Sequence, residues 1–273
     1  MKLSVVVCVR NEEARLRDCL VSVYENHPDE VILVDGDSSD GTLAIAREFA
    51  GIQIIESKNS SLTRDRQKGL DAAKNQLVAM IDADHRLKPD DLESLLKDMV
   101  EFNFDIVQSG LISHTNHGFW DSAEEASWEL TQNIPGLRNM VGTAPAIYNK
   151  RVFEFARFDG HITSTIDDTD FSYRLSKFPS LRFGVGHTKI RQFHFSGFRT
   201  YVKKFQWYGK GDGEFCRKHP ERMASMIFHL LVRYPILHSW KAVRTGNLRA
   251  VPFFMLQGML RFTGLVRYFI EAI

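Results

Sequence analysis

The chain has 273 residues, of which 44% are hydrophobic and 25% are charged, and this composition excludes a disordered, collagen-like or low-complexity protein. Its three cysteines, Cys8, Cys19 and Cys216, include no CxxC pair, which argues against a disulfide framework or a structural zinc site. The formal net charge is +1, but residues 197–273 contain 13 Lys or Arg and 4 Asp or Glu, so a basic C-terminal region follows an acidic body.

Strand and helix signals alternate through the first third of the chain. Short apolar runs predict four buried parallel strands, at Leu3–Val9, Val31–Val34, Ile52–Ile55 and Leu77–Ile81. Apolar residues at helical spacing predict helices at Glu12–Tyr24, Thr42–Phe49, Thr63–Lys74 and Leu92–Phe102. This alternation is typical of an open α/β sheet, in which ligands bind at the carboxyl ends of the strands.

The middle of the chain is less regular. Strands are predicted at Ile106–Ile112 and Val141–Tyr148, and helices at Asp121–Asn133 and Ile166–Lys177. Further on, Gly209-Lys210-Gly211-Asp212-Gly213 predicts a loop, either a turn between helices or a flexible loop that closes over a diphosphate. Its spacing fits neither a P-loop nor a dinucleotide-binding motif.

The last third of the chain is basic and aromatic, and Val251–Ile273 has the periodicity of an amphipathic helix. One face comprises Phe254, Met255, Met259, Phe262, Leu265, Val266, Phe269 and Ile270, and the other Gln257, Arg261, Gly264, Arg267 and Glu271. Such a helix either lies in the plane of a membrane surface or packs on the body of the protein. The basic charge predicts an anionic partner, the alternative being ordinary solvated surface charge.

The sequence contains no run of about 18 uninterrupted apolar residues, and its first residues lead into a strand rather than a signal peptide. We therefore expect a cytoplasmic protein that is peripheral on the inner face of the membrane if its C-terminal helix binds lipid. The basic residues form no nucleic-acid-binding motif, so nucleic acid is not an expected partner.

Two carboxylates, Asp82 and Asp84, follow the fourth predicted strand in the sequence Asp82-Ala83-Asp84. At this spacing both can reach one Mg²⁺ or Mn²⁺ ion, which would neutralise a diphosphate. A solvated turn is the alternative, because this short motif also occurs by chance.

A second acidic cluster, Asp167-Asp168-Thr169-Asp170, stands at the start of a predicted helix. A carboxylate near a reacting hydroxyl can act as a general base, although acidic residues also cap helices. His194, between two aromatic residues, is a candidate metal ligand or a packed histidine, and His85, beside the acidic pair, is its rival. Arg66 is a candidate phosphate or base contact, or part of a solvated helix face.

Taken in order, these motifs resemble those of the family 2 inverting glycosyltransferases of the GT-A fold, over about residues 1–213. The matching pieces are Val5-Val6-Val7-Cys8-Val9-Arg10-Asn11-Glu12, Val34-Asp35-Gly36-Asp37-Ser38-Ser39-Asp40-Gly41-Thr42, Arg66 ahead of Gly69, Asp82-Ala83-Asp84, and Asp167-Asp168-Thr169-Asp170 followed by Arg174-Leu175. The resemblance implies a Rossmann-like mixed sheet flanked by helices. We expect this catalytic domain at 1–213 and the amphipathic helical extension at 214–273.

The resemblance also implies the reaction and the residues that perform it. It implies transfer of a sugar, with inversion, from a nucleoside diphosphate, UDP in particular, to a glycan or lipid-linked acceptor. The donor-binding residues would be Val9, Arg10, Glu12, Asp35, Asp37, Arg66, Asp82, Ala83 and Asp84. Asp168 would be the catalytic base, assisted by Asp167, while Mn²⁺ or Mg²⁺ would be held by Asp84, Asp82 and His194.

The sequence departs from the family pattern at three places. Asp35-Gly36-Asp37 stands where the family has two adjacent aspartates followed by glycine, so the residue that contacts the nucleobase is either Asp35 or Asp37. Asp167 stands where the family has glutamate. Gln206-Trp207 lacks the pattern of the processive synthases, which favours transfer of single sugars. The alternatives are a sugar-phosphate nucleotidyltransferase and a non-catalytic, membrane-associated protein that binds nucleotide sugars.

Overall fold

A computed structural model describes residues 1–114, 118–162, 165–193 and 197–271. The chain divides into two compact units. Unit one comprises Met1–Gly110, Pro135–Thr163 and Asp167–Gln192, and unit two comprises Leu111–Ile134, Ser164–Ile166 and Phe193–Ile273. The division into a catalytic domain at 1–213 and an extension at 214–273 concerns function and stays a prediction.

The strands form one mixed sheet. They are β1 (Leu3–Val9), β2 (Glu30–Asp35), β3 (Gln53–Glu56), β4 (Leu77–Asp82), β5 (His85–Arg86), β6 (Ile106–Ser113), β7 (Gly136–Leu137), β8 (Ala146–Asn149) and β9 (Phe183–Gln192). Their order is β3-β2-β1-β4-β8-β6-β9-β5, with β7 also paired to β9. The first four strands are parallel, whereas β8 pairs antiparallel with β4 and β6, and β9 with β5 and β7.

The helices are α1 (Glu13–Tyr24), α2 (Thr42–Ala46), α3 (Leu62–Ala72), α4 (Asp91–Glu101), α5 (Phe119–Thr131), α6 (Asp167–Leu175), α7 (Phe198–Lys218), α8 (Met223–Phe228), α9 (Ser239–Arg244) and α10 (Ala250–Glu271). A π-helix, His229–His238, joins α8 to α9, and short 3-10 helices cover Lys150–Glu154 and Pro220–Arg222. Helices α5 and α7–α10 belong to unit two.

The alternation of side chains along β1 gives unit one its layers. Val5 and Val7 lie in a buried apolar cluster with residues of α1 and α4, such as Leu16. Val6 lies in a second cluster with residues of α3 and α6, such as Leu70. Successive side chains of a strand point to opposite faces, so the sheet is covered by helices on both sides.

The strand register aligns three carboxyl ends in unit one. Val9 of β1 lies opposite Asp35 of β2, and Cys8 lies opposite Asp82 of β4. The polar segments that follow these strands therefore emerge side by side, as the sequence predicts.

The first four predicted strands and the helices predicted at Glu12–Tyr24 and Thr63–Lys74 are confirmed, with ends shifted by a few residues. Two expectations are wrong. The predicted strand Val141–Tyr148 forms only over Ala146–Asn149, and the helix from Thr42 ends at Ala46 rather than Phe49. No prediction covers β9, because its Gly, His, Lys, Arg and Gln residues hide the apolar period that identifies a strand.

The predicted glycine-rich loop at 209–213 is also wrong, because these residues lie inside the continuous helix α7 of unit two. Their glycines instead serve helix packing. A Cβ atom at Gly209 would overlap the carbonyl oxygen of Arg261 in α10, and one at Gly213 would lie 2.7 Å from the Cβ of Tyr268. Only glycine allows the two helix backbones to approach this closely.

The predicted C-terminal helix is confirmed over Ala250–Glu271, but only part of its predicted polar face is exposed: Arg267 and Glu271 face solvent, whereas Arg261 does not. Arg261 donates to both carboxylate oxygens of Asp212 in α7, at 2.8 and 2.6 Å. On the predicted apolar face Met259 and Ile270 are exposed, whereas Phe254 and Leu265 are buried. No helix within the described ranges has the length and apolarity needed to cross a membrane.

Candidate active site

The end of β2 supplies a buried carboxylate in unit one. Asp35 is 1% exposed, and its Oδ2 atom accepts a hydrogen bond from the backbone N–H of Ser38 at 3.0 Å. Its Oδ1 atom has no hydrogen-bond partner among the residues that the structure describes. Because a buried acceptor without a donor is costly, Oδ1 is suited to an N–H or O–H group of a ligand. Asp37, the other candidate base contact, is exposed.

The loop after β1 is fixed against the loop after β2. Asn11 has a left-handed backbone (φ 55°), and its side chain accepts from the backbone N–H of Ser39 at 2.8 Å. The backbone N–H of Glu12 donates to the hydroxyl of Thr42 at 2.8 Å. Burial raises the pKa of the Glu12 carboxyl, and the nearby carboxylates Asp84 and Asp82 raise it further. Glu12 thus belongs to the same site as the acidic pair, whereas Arg10 is exposed.

Arg66 of α3 joins the two acidic clusters that the sequence predicts. It is 6% exposed, it forms an ion pair with Asp167, and its Nη2 atom lies 3.3 Å from both carboxylate oxygens of Asp82. Burial alone would lower the pKa of Arg66, but the carboxylates of Asp82 and Asp168 raise it above its usual value. The end of β4 and the start of α6 are therefore held together by one buried cation.

The three carboxylates at the start of α6 have different environments. Asp167 is paired with Arg66, and Asp170 is fully buried and bound to Arg174 at 2.8 Å. Asp168 is half-buried, and its Oδ1 atom accepts a hydrogen bond from the backbone N–H of Thr169 at 2.5 Å. Asp168 is thus the partly exposed carboxylate of the cluster, whereas Asp167 and Asp170 are buried.

Asp82, Asp84 and His85 form the one cluster in the described ranges whose ligand atoms lie close enough for a metal ion, within 4.8 Å of one another. Gln192 of β9 donates to Oδ2 of Asp84 at 3.0 Å. Ala83 between the carboxylates is buried, and its carbonyl accepts from Arg86 at 2.8 Å. Two half-buried carboxylates held in this way fit a hard divalent cation such as Mn²⁺ or Mg²⁺.

His85 is 1% exposed, and its Nδ1 atom accepts a hydrogen bond from the backbone N–H of Asp82 at 3.0 Å. In a neutral imidazole this places the proton on Nε2, which lies 3.7 Å from Oδ1 of Asp84 and has no hydrogen-bond partner in the described chain. A protonated Nε2 offers no lone pair to a cation. The arrangement therefore favours the two carboxylates as ligands, with His85 behind them. His194, the other candidate, lies outside the described residues.

The structure thus brings together most of the predicted site residues: Val9, Glu12, Asp35, Arg66, Asp82, Ala83, Asp84, Asp167 and Asp168. The side chains of Arg10 and Asp37 are exposed. Sequence reasoning missed Gln192, because it lies on the strand that no pattern identifies. It also missed the hydrogen bond from Ser57 to the buried Asp65, whose Oδ2 atom would lie 2.9 Å from a Cβ at Gly36.

Comparison with known sequences identifies relatives of this chain. The family model described as glycosyl transferase family 2 matches residues 4–200. The chain is 30% identical over 181 residues to glycosyltransferase GlyA of Streptococcus pneumoniae serotype 4. This aligned region covers 58% of this chain and 26% of GlyA. It is 32% identical over 118 residues to dodecaprenyl-phosphate galacturonate synthase of Rhizobium johnstonii, and this aligned region covers 39% of this chain and 35% of that protein. The matched regions thus span only about a quarter to a third of these relatives.

Comparison with solved structures identifies the fold. The crystal structure of S. aureus TarS 1–349 in complex with UDP-GlcNAc matches with a TM-score of 0.57, at 15% identity, over 99% of this chain and 92% of that chain. At this low identity the likeness concerns the fold alone. The mixed sheet flanked by helices has the GT-A arrangement that the motifs imply.

Proposed function

The chain belongs to glycosyl transferase family 2, and on this premise we propose that it transfers a sugar, with inversion and with the help of a divalent cation, from a UDP-linked donor to an acceptor hydroxyl. The observation that carries the proposal is the position of Arg66. This buried cation holds Asp82, at the end of β4, and Asp167, at the start of α6, together at one edge of the sheet. In this arrangement the proposed donor site and the proposed base would lie side by side.

The proposed donor site lies at the ends of β1 and β2. The unpaired Oδ1 atom of Asp35 would accept a hydrogen bond from a nucleobase N–H or a ribose hydroxyl, with Val9 and Glu12 beside it. We assign the base contact to Asp35 rather than Asp37 because Asp35 is buried and has an unsatisfied acceptor. Arg10 and Asp37 would close over the nucleotide from their exposed positions. The UDP-GlcNAc complex of TarS supports a uridine donor.

Asp82 and Asp84 would hold the cation, with Ala83 as the spacer that lets both carboxylates reach it. A bound Mn²⁺ or Mg²⁺ would supply positive charge to the diphosphate as it leaves the sugar. Gln192 fixes Asp84 by its hydrogen bond, and Arg66 fixes Asp82. His194 keeps its predicted ligand role only as a proposal.

Asp168 would be the general base. It would take the proton of the acceptor hydroxyl while the acceptor oxygen bonds to the anomeric carbon and the bond from that carbon to the diphosphate breaks, which inverts the configuration. Asp167 is tied to Arg66, so we assign it a positioning role. Asp170 is bound to Arg174 and stabilises the helix start.

We propose a glycan or lipid-linked acceptor, and a peripheral location on the inner face of a membrane. The name of one relative, a dodecaprenyl-phosphate galacturonate synthase, supports an acceptor of this kind. The excess of basic residues in 197–273 supports an anionic surface as a partner.

Calorimetric titration tests the donor site. UDP, GDP, dTDP and CMP are each titrated with and without Mn²⁺, and we expect UDP to bind most tightly and to bind more tightly with Mn²⁺. Asp84→Ala should remove the effect of Mn²⁺, while Glu25→Ala, which removes an exposed carboxylate beyond α1, should not. Failure of all four nucleotides to bind would exclude the assignment. Release of UDP from a UDP-sugar in the presence of an acceptor would then separate a transferase from a nucleotidyltransferase or a non-catalytic binder.

A further inference from the structure

Helix α10 of unit two packs through glycines and Arg261 as well as through buried apolar residues such as Phe253 and Phe254. A Cβ atom at Gly264 would lie 2.9 Å from the Cα of Gly209, and one at Gly258 would lie 2.8 Å from Cδ of Pro235 in the π-helix. Arg261, on the same side, forms its two hydrogen bonds with Asp212. This side of the helix is therefore filled by α7 and the π-helix.

The opposite side of α10 is apolar and faces outward. Met255, Met259, Val266 and Ile270 are 46, 59, 39 and 66% exposed. They recur at intervals of four or seven residues, so they form one stripe along the helix. A helix that folds for water buries its apolar stripe and exposes its polar one. In α10 the inner side already buries Phe253, Phe254 and Leu265, so the outer apolar stripe is a second one that nothing in the described chain covers.

The segment before α10 adds to the exposed apolar surface of unit two. Residues 223–249 contain eight exposed large apolar side chains: Ile227, Phe228, Leu231, Ile236, Leu237, Trp240, Val243 and Leu248. The π-helix of this segment packs directly on α10 at Gly258. Monomeric soluble proteins rarely leave so much apolar surface in one region uncovered, so it indicates a partner.

The charge of the same region identifies that partner. Residues 223–271 contain six Lys or Arg and one Glu. Five of these basic side chains are exposed: Arg233, Lys241, Arg244, Arg249 and Arg267. Arginine and lysine beside tryptophan and aliphatic residues are what the surface of an anionic bilayer binds, because phosphates meet the cations and acyl chains meet the apolar groups. A second copy of this face would oppose like charges.

We propose that the exposed apolar stripe of α10 and the exposed side chains of 223–249 form a docking surface for a bilayer that contains anionic phospholipid. We call it the docking surface. The inference rests on the proposed function, for which it specifies the part of the chain that contacts the membrane. It depends on unit two alone, so its failure leaves the donor site untouched.

Vesicle flotation tests the apolar part of the docking surface. The full chain is mixed with vesicles of phosphatidylcholine alone, or with about one third phosphatidylglycerol, at low and high salt. We expect the chain to float with the anionic vesicles and to be released in part by salt. The double variant Met259→Glu/Ile270→Glu should bind these vesicles at least about tenfold more weakly than the parent. Val100→Glu, a charge placed at a 62% exposed site on α4 of unit one, should bind like the parent.

A second pair of substitutions tests the charged part. Arg244→Gln/Arg249→Gln should weaken binding to anionic vesicles roughly 10- to 30-fold. It should not change binding to phosphatidylcholine alone. Calorimetric UDP binding, measured on the same samples, verifies that each variant is folded.

Three results would overturn the proposal. The first is flotation of Met259→Glu/Ile270→Glu equal to that of the parent. The second is the absence of flotation with anionic vesicles by a parent chain that binds UDP. The third is a parent chain that binds no vesicles but forms a dimer without lipid in sedimentation analysis, while the glutamate variant is a monomer. The surface would then bind a second copy of the chain.

Discussion

The Nδ1 atom of His85 accepts a hydrogen bond from the backbone N–H of Asp82 at 3.0 Å. This bond ties a fully buried ring to the first residue of the proposed cation pair. It also places the ring's remaining N–H 3.7 Å from the carboxylate of Asp84, the second residue of that pair. His85 thus supports both carboxylates from behind, and we infer that it positions them instead of binding the cation itself.

Two substitutions at His85 test this role. An asparagine oxygen can occupy the place of Nδ1, so His85→Asn should keep the affinity for Mn²⁺ in the presence of UDP within a few fold. His85→Leu fills the volume without an acceptor, so it should weaken Mn²⁺ binding on the order of tenfold. The affinity is measured by electron paramagnetic resonance of free Mn²⁺. Equal, large losses in both variants would favour direct ligation by the ring.

Replacing Asp168 with Asn should separate chemistry from binding. The amide keeps the size and the hydrogen bond from Thr169 but cannot accept a proton, so we expect turnover to fall on the order of 10²-fold or more while UDP affinity stays unchanged. Asp170→Asn is the control, because it changes a carboxylate in the same helix turn. It should lower the stability of the protein without a selective loss of turnover. Unchanged turnover in Asp168→Asn would remove it from the base role.

Arg66→Met should destabilise the protein, because it leaves Asp167 buried without a counter-charge. Breaking a buried ion pair from one side costs about 3–5 kcal/mol. The double variant Arg66→Met/Asp167→Asn removes both charges and should recover much of the stability but not the transferase activity. Chemical denaturation measures stability, and UDP release measures activity. If the double variant is no more stable than Arg66→Met, the unpaired charge of Asp167 is not the cause of the lost stability.

Gly209→Ala should destabilise unit two, since its Cβ would overlap the backbone of α10 at Arg261. We expect a cost of about 1–3 kcal/mol and a decrease of several degrees in the melting temperature. Gly118→Ala is the matched control, because no atom lies within 4 Å of the added methyl group. Equal melting temperatures for both variants would contradict the close approach of α7 and α10.

Two histidines of unit two predict a loss of stability in mild acid. Burial lowers the pKa of His229 to about 3 and that of His238 to about 4, with smaller contributions from nearby arginines. In the unfolded chain both pKa values return to about 6.5, so below that pH the unfolded state binds more protons. Their contribution to stability is therefore fully present above about pH 6.5 and declines from there to about pH 3, where His229 of the folded chain also becomes protonated.

The variant His229→Gln/His238→Gln tests this dependence. Its melting temperature should decrease less steeply between about pH 6.5 and 4 than that of the parent. Parallel curves would show that other groups control the acid sensitivity. Calorimetry or near-ultraviolet circular dichroism follows the transition.

Much of the site was accessible from the sequence because its parts lie at strand ends. The apolar runs ending at Val9, Val34 and Ile81 predict parallel strands, and parallel strands bring their carboxyl ends to one edge. Local patterns of this kind need only the chain itself and its period. The polar residues after each run were therefore recognisable as one site before any coordinates.

Contacts between distant segments were not accessible. Arg66 was a candidate phosphate contact, yet it is 101 residues from the aspartate that it pairs with, and no spacing rule connects the two. Gln192 lies on β9, where polar residues and glycines conceal the strand. The burial of Asp167 and Asp170 and the partial exposure of Asp168 likewise depend on which distant segments pack against each one.

The sequence by itself determined the alternation of strands and helices, the family resemblance, and the amphipathic character of the C-terminal helix, because these depend on local order and period. Only the tertiary structure decided which side of α10 is covered. Glycines that predict a loop at 209–213 instead bring α7 against the polar side of α10, since a residue without a side chain suits both a turn and a close helix contact. The choice between these uses is made by packing partners, which the order of residues along a chain does not specify.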